Sequence, residues 1–359
     1  MGIFSNILGA DESLFKNEIA LSFDYIPKEV PYREYQKQYI ASCIKPLFQK
    51  RNGKSLLVFG PPGIGKTVAI KHLFQEIEYE TDDIFVIYVN CWQKNSTYKI
   101  FVDLCEQLGY KFTQNKKTEE LFKIIKQILN KKSVVFAFDE VDKLEDFDFL
   151  YTILEEVYRK TIILITNYHQ WLIDLDERVK SRLMPETVEF NSYNKEETSG
   201  ILKQRVNYAF VPDVIEDSAF RLISDKAFER KDIRTGIYLL KEAGTAAEDS
   251  ASRKITKENA ETAIRKLTDF SIKQSSELED STRTVLSIIR ENSGSKIGDL
   301  FKTYQDKGGL LTYKTFQRKI KKLSDNNFIK VTKTEGGDMG NTTIVTISDK
   351  ADEKKLTDF

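Results

Sequence analysis

Apolar residues in this chain first gather into short unbroken runs and later spread out at helical spacing. Five runs mark the first half: SLLVFG (55–60), IFVIYVN (84–90), SVVFAFDE (133–140), TIILITN (161–167) and TVEFNSY (187–193). Most are continuously apolar instead of alternating, which predicts strands buried on both faces. Between them, VAIKHLFQEI and LFKIIKQIL repeat their apolar positions with helical period. Alternation of this kind predicts an α/β fold, a parallel sheet with helices on both faces.

After residue 193 the strand pattern stops. NKEETSGILKQRVNYAF, SAFRLISDKAF, IRTGIYLLKEAGTAAEDSA and KENAETAIRKL all read at helical spacing and predict a small all-helical domain. SIKQSSELEDS (271–281) loses that periodicity and reads as a linker or loose helix. Helical patterns at TRTVLSIIREN, KIGDLFKTYQ and TYKTFQRKIKKLSDN then lead to two strands, NFIKVTK and TTIVTIS, flanking EGGDMGN. Three helices and a hairpin in this order predict a winged helix-turn-helix. The expected organisation is a base domain over 1–192, a helical lid over 193–272 and a winged helix over 273–359. There is no internal repeat and no low-complexity tract.

Composition narrows the function. The 359 residues suggest two or three domains. Lys+Arg and Asp+Glu number 55 each, so a nucleic-acid partner must act through local patches and not through overall charge. No apolar run is long enough to span a membrane, and the opening MGIFSNILGADESLFKNE lacks the pattern of a signal peptide. A cytoplasmic, nucleoid-associated protein without a membrane partner is therefore expected. Cys43, Cys91 and Cys105 have neither the number nor the spacing of a disulfide frame or zinc site, so each is expected to be a small buried residue.

The chemistry begins at Gly60-Pro61-Pro62-Gly63-Ile64-Gly65-Lys66-Thr67, a full P-loop placed after a strand and before a helix. Its glycines let backbone N–H groups turn onto phosphate oxygens at a helix start whose dipole favours negative charge. Lys66 is expected to reach the β- and γ-phosphates of ATP, the Thr67 hydroxyl to ligate Mg²⁺, and Val68 to follow the nucleotide into the helix. Asp139-Glu140 closes the buried run VVFAFDE, at the strand end where such sheets bind ligands. Asp139 is expected to hold Mg²⁺ and Glu140 to polarise the attacking water. Asn167 ends TIILITN, placed either to hold the lytic water or γ-phosphate or simply to begin a turn.

P-loop, Asp-Glu pair, strand-end Asn and an arginine-bearing helical lid together resemble the layout of AAA+ ATPases. Within that class the chain resembles the archaeal replication initiators related to the origin-recognition complex and its cell-division-cycle loader, from about residue 14 to residue 347. LFKNEIALSFDYIPKEVPYRE is similar to the segment that passes beside the adenine in that family, which implies nucleotide contacts at Pro31 and Arg33. RVKSRLMPETVEFNSYNKEETSGILKQR resembles the arginine-finger region and lid entry, and DIRTGIYLLKEAG the lid helix with the second-sensor arginine. The resemblance implies Arg234 on the γ-phosphate, Tyr193 and Arg205 beside the nucleotide at the hinge, and Arg182 as a finger for a neighbour's ATP. One departure stands out: the family usually has Gly-Asp-Ala-Arg where this chain reads Lys231-Asp232-Ile233-Arg234. CWQKNSTYKIFVDLCEQLGY resembles the initiator-specific insertion that meets the minor groove, with Asn95, Ser96, Thr97, Tyr98 and Lys99 at its DNA-facing start.

The last domain offers a second phosphate-bearing partner. In TYKTFQRKIKKL, Tyr313, Phe316, Ile320 and Leu323 recur at helical spacing and are expected to face the core. Lys314, Gln317, Arg318 and Lys321 then point outward, where amide and guanidinium reach base edges and lysines meet phosphates. Lys333 leads into the wing, whose Gly336, Gly337, Gly340 and Asn341 let backbone approach a narrow minor groove. Together with the resemblance, these readings imply an ATP-dependent replication initiator with slow, switch-like hydrolysis. Its partners would be double-stranded origin DNA, the replicative helicase that it helps recruit or load, and paralogous initiator subunits on DNA. The alternative is a clamp-loader-type or signalling AAA+ ATPase whose winged helix serves protein contacts. Against the signalling form, the residues after the fourth strand are Asn167-Tyr168-His169, where such proteins carry a sensor arginine.

Overall fold

The computed structural model describes residues 13–173, 175–276, 280–309, 311–325, 328–334 and 342–347. The chain divides into two compact units, Met1–Ile264 and Arg265–Phe359.

The first unit is built on a parallel sheet of five strands in the order β2-β3-β4-β1-β5. These are β1 (Leu56–Phe59), β2 (Ile84–Asn90), β3 (Ser133–Asp139), β4 (Lys160–Thr166) and β5 (Glu186–Glu189). Every residue of β3 is buried, as a central strand covered on both faces must be. Its alternate residues feed opposite cores. Val134, Phe136 and Phe138 pack against α3 (Thr97–Gln107), α4 (Thr118–Leu129) and α5 (Asp148–Glu156), with α6 (Glu177–Leu183) completing that layer. Val135 and Ala137 point the other way, toward α1 (Glu34–Ile44) and α2 (Lys66–Glu80). The unbroken apolar runs thus arise from two cores drawing on one strand. The fifth run is strand only over β5; the chain leaves the sheet after Glu189 to enter the helical part.

That part contains α7 (Lys195–Ala209), α8 (Asp217–Arg230), α9 (Ile233–Asp249) and α10 (Lys257–Ser276). Asn194 caps α7 in a reciprocal box with Glu197, and the Asp232 carboxylate accepts from the backbone N–H of Arg234 to cap α9. Lys231, where the family usually has glycine, ends α8 in the left-handed region (φ 53°). That conformation explains the family's glycine: it is the helix-terminating position at which a side chain is strained. The segment expected as a linker or loose helix is helical through Ser276, and the division between units falls inside α10.

The second unit contains α11 (Asp280–Glu291), α12 (Ile297–Asp306), α13 (Tyr313–Asp325) and an antiparallel sheet of three strands. Its strands, β6 (Ser295–Lys296), β7 (Ile329–Thr334) and β8 (Thr342–Ile347), lie in the order β6-β8-β7. This arrangement agrees with the expected winged helix-turn-helix. Strand β6 had no sequence signal, because two residues carry no period. Ile288, Leu300, Phe316, Ile320 and Val345 form the centre of the core. Tyr313 departs from expectation: it is 40 % exposed and meets the core only edge-on, its ring 5.0 Å from that of Phe301.

The three cysteines are buried and free, as expected. Among the described residues no helix is long and apolar enough to cross a membrane, and no group of three or more His, Cys, Asp or Glu is placed to hold a metal ion.

Candidate nucleotide site and DNA-facing elements

Strand ends, the start of α2 and the start of α9 converge on one cavity of ≈ 470 Å³. Gly60 holds the P-loop against the sheet edge: at φ 146° its Cα lies so close to Phe190 that a Cβ would fall 2.1 Å from the carbonyl oxygen. Lys66 folds back beneath the loop. Its ammonium donates to the carbonyls of Gly60 (2.6 Å) and Pro61 (2.7 Å) and to Oδ1 of Asn167 (3.0 Å). Gly60 and Pro61 act through those carbonyls and do not line the cavity, whereas Pro62 through Val68 do. Burial pushes the Lys66 ammonium down to about 8, with Asp139 opposing that shift and Arg234 adding to it.

Opposite Lys66, Asp139 receives three donors. The Thr67 hydroxyl (2.5 Å) and the Tyr88 phenol (2.9 Å) both donate to Oδ2, and the Glu140 backbone N–H donates to Oδ1 (2.9 Å). A hydroxyl and a carboxylate side by side at the phosphate end suit the all-oxygen ligation of Mg²⁺. Glu140 follows in the left-handed region (φ 57°, ψ 44°), a strained conformation for a residue with a side chain, and lines the cavity. Burial, then the charges of Asp139 and Asp142, raise its carboxyl above the ordinary carboxylate range. Asp142 accepts from Thr166 (3.2 Å) and pairs with Lys143 (3.0 Å), tying together the ends of β3 and β4.

The other end of the cavity is apolar. Phe23, Ile26, Pro27 and Val30 of the N-terminal segment face Ile201 and Ile237 of the lid, a slot suited to a flat base. Pro31 and Tyr193 also line it. The Tyr193 hydroxyl crowds Gly65, where a Cβ would lie 2.9 Å away. Arg33 corrects the expectation of a nucleotide contact. It lies behind the loop and not in the cavity, donating to the carbonyls of Ile64 (3.1 Å) and Asn191 (2.6 Å), with its guanidinium 3.9 Å from the Tyr193 ring centroid. Arg205 lines the cavity, yet its guanidinium holds the N-terminal segment through the carbonyls of Ala20 (3.1 Å) and Tyr25 (3.2 Å). The resemblance implies nucleotide contacts for both arginines; burial instead commits their guanidinium groups to backbone carbonyls.

The lid touches the P-loop directly. The Ile233 N–H donates to the Gly63 carbonyl (3.1 Å), and the Asp232 carboxylate sits where a Cβ on Gly63 would be, 2.0 Å away. Arg234 lines the cavity, half exposed, with Nε 3.3 Å from Asp232 Oδ1. Arg182 stands outside the cavity, paired with Glu155 and 4.9 Å from the Tyr151 ring centroid. Sequence reasoning missed Tyr88 and Lys71. Both lie on the cavity wall, with the Lys71 ammonium 4.5 Å from the Tyr88 ring centroid. Lys71 had a signal in its spacing, four residues after Thr67, whereas Tyr88 needed the β2–β3 register that sets Asn90 beside Asp139.

Of the five insertion residues expected to face DNA, Thr97 does not. It is buried, bonded to Asp146 and accepting from the Phe149 N–H at 3.0 Å, so it pins α3 to the start of α5. Asn95 donates to Glu145 (2.6 Å) and accepts from Lys99 (2.7 Å), while Tyr98 is 44 % exposed. Ser96 precedes α3 in extended backbone. In the second unit Lys314, Gln317, Arg318 and Lys321 are all exposed on α13, as the periodicity requires. Lys333 lies in β7, and Gly336, Gly337, Gly340 and Asn341 fall outside the described residues.

A model of the AAA domain matches residues 49–170, and a model of the Cdc6 AAA+ ATPase-type lid domain matches residues 199–265. The ORC1-type DNA replication protein 2 of Methanosarcina mazei is 30 % identical over 364 residues, covering 97 % of this chain and 97 % of that protein. The chain belongs to the ORC1-type DNA replication proteins. The ORC1-type DNA replication protein 1 of Sulfurisphaera tokodaii is 33 % identical over 263 residues, 70 % of this chain and 66 % of that protein. Among solved structures, the Aeropyrum pernix ORC1 protein in complex with DNA aligns over 94 % of each chain with a TM-score of 0.72 at 23 % identity, a likeness of fold. Membership of this family makes the chain a nucleotide-binding AAA+ ATPase with the parallel-sheet base and helical lid described above.

Proposed function

We propose that the chain is an ATP-dependent replication initiator that binds origin duplex DNA and helps recruit or load the replicative helicase. The observation that carries the DNA half of this reading is the outer face of α13, where Lys314, Gln317, Arg318 and Lys321 stand exposed over a core of Phe316, Ile320 and Leu323. An amide and a guanidinium flanked by lysines can combine base readout with phosphate anchoring. The wing residues Lys333, Gly336, Gly337, Gly340 and Asn341, and the exposed part of the insertion around Tyr98, are proposed as secondary contacts. Paralogous subunits beside this one on DNA belong to the same proposal.

The nucleotide half assigns each side chain a task. Backbone N–H groups of the P-loop and Lys66 bind the phosphates, and the apolar slot takes the base. Thr67 and Asp139 would hold Mg²⁺, which when bound neutralises phosphate charge. Glu140 orients and deprotonates the attacking water, assisted by Asn167, and Arg234 turns from Asp232 toward the γ-phosphate. Hydrolysis is slow in a lone subunit because Arg182, outside its own cavity and paired with Glu155, serves only a neighbour. ATP then acts as a switch and not as a motor's fuel.

The test is fluorescence anisotropy with origin and scrambled duplexes across a salt series, with and without ATP. Arg318→Ala is expected to cost about 1–3 kcal/mol and chiefly to erase preference for origin sequence. Lys321→Ala should weaken binding to all duplexes and flatten the salt dependence by about one unit of slope. Wild-type DNA binding in both folded variants would favour a protein-contacting role for this unit instead.

A further inference from the structure

Tyr88 has no part in the nucleotide chemistry assigned above, yet its hydroxyl reaches the carboxylate at the centre of it. Register explains how. In the β2–β3 pair Asn90 lies beside Asp139, and Tyr88 lies beside Ala137. Residues two apart on a strand share a face, so the phenol runs along the sheet toward Asp139 and ends 2.9 Å from Oδ2. The same oxygen accepts from Thr67 at 2.5 Å, and the other oxygen from the Glu140 N–H at 2.9 Å. The ring is held by Lys71, whose ammonium lies over it, 4.5 Å from the centroid. Lys71 comes one helical turn after Thr67, so one face of α2 supplies both the hydroxyl on Asp139 and the cation on Tyr88.

We infer that Tyr88 is a positioning residue for Asp139: its hydroxyl fixes the orientation in which the carboxylate, with Thr67, receives a divalent cation alongside nucleotide. The inference rests on the proposed role of this cavity as a magnesium–nucleotide site. The Thr67 hydroxyl would offer a lone pair to such a cation and can keep its proton on Oδ2, so that oxygen is held by two side-chain donors. Of the two, the Tyr88 hydroxyl has no metal to ligate, and its donation alone serves to keep the carboxylate from rotating away. Partners of this kind behind metal ligands change metal affinity by about 10- to 100-fold when removed. A ring with no such task would need only its apolar face, and phenylalanine would serve equally well.

The experiment uses the full-length protein, a fluorescent ATP analogue and titration with Mg²⁺, together with Mn²⁺ binding read by electron paramagnetic resonance. Tyr88→Phe keeps the ring and removes only the hydroxyl. Expected are an unchanged affinity for the analogue in EDTA, an unchanged melting curve within a few degrees, and a half-saturating Mg²⁺ or Mn²⁺ concentration raised roughly 10-fold. Lys71→Met keeps the hydroxyl and loosens the ring, so its shift runs in the same direction but is smaller. An unchanged metal titration in Tyr88→Phe overturns the inference. So does a parallel loss of metal-free nucleotide binding and thermal stability, which marks a packing role. If the wild type binds the analogue without any metal dependence, the reading of the cavity itself fails, a result distinct from these.

Discussion

Lys66 should take up a proton when nucleotide binds, and the structure sets the size of the effect. The free ammonium is held at about 8 against an ordinary 10.5, chiefly because it is buried, with Asp139 opposing and Arg234 reinforcing the shift. Phosphate oxygens arriving beside it favour the charged form and raise that value again. At pH 8.5 the free chain then carries roughly a quarter of a proton at Lys66 and the complex nearly a whole one, an uptake of roughly 0.7 proton per nucleotide. Affinity should accordingly decline as pH rises from about 8 toward 10.5, by at most about tenfold per pH unit. The same group has a folding signature of fixed sign. Between about 8 and 10.5 the unfolded chain holds the proton and the folded chain has lost it. Unfolding therefore takes up protons in this window, and the chain without nucleotide gains stability as pH rises through it. Below the window the buried charge costs the fold roughly 3 kcal/mol. Isothermal titration calorimetry at pH 8.5, in buffers of different ionisation enthalpy, reads the uptake directly. Zero uptake, or proton release, would refute the reasoning that burial discharges Lys66 and phosphate restores its charge.

Glu140→Gln should bind nucleotide as the wild type does and lose turnover by about 10²- to 10⁴-fold, because it keeps the shape but not the base; nucleotide titration beside a phosphate-release assay checks this, and near-normal turnover would remove Glu140 from the mechanism. Gly63→Ala places a Cβ on the Asp232 carboxylate at a backbone of φ 73°. Left-handed strain and the lost α9 cap together should cost about 2–3 kcal/mol, visible in thermal melts and in weakened nucleotide binding; wild-type values in both would mean the lid does not rest on the P-loop. Lys231→Gly relieves the left-handed residue at the end of α8 and should stabilise by about 1 kcal/mol, raising the melting temperature by about 2–4 °C in calorimetry. No rise would show that the Lys231 backbone is unstrained.

Much of the nucleotide site could be read from the chain alone, because its signals are local. A phosphate cradle needs glycines, a lysine and a hydroxyl within one strand–turn–helix, so GPPGIGKT announces both the loop and its flanking elements. VVFAFDE does the same for Asp139 and Glu140, since a run buried on both faces must end where its first acids appear. The outward face of α13 followed from period alone, and Lys314, Gln317, Arg318 and Lys321 are exposed as that period demands.

Contacts between distant segments followed a different logic, and there the sequence was silent or misleading. Arg33 and Arg205 were expected beside the nucleotide, but each guanidinium is spent on backbone carbonyls far along the chain, which no pattern of spacing encodes. Thr97 opened an insertion expected to face DNA, yet its hydroxyl joins Asp146 and the Phe149 N–H at the start of α5. Tyr88 sat in an ordinary β-rich run until the β2–β3 register placed its phenol on Asp139. The physical reason is common to all of these. Hydrophobic period and turn chemistry are fixed by near neighbours along the chain, so the sequence by itself determined the longer elements and the P-loop. Which polar group satisfies which is settled only when elements pack and each buried donor must find an acceptor, and that the tertiary structure alone decided.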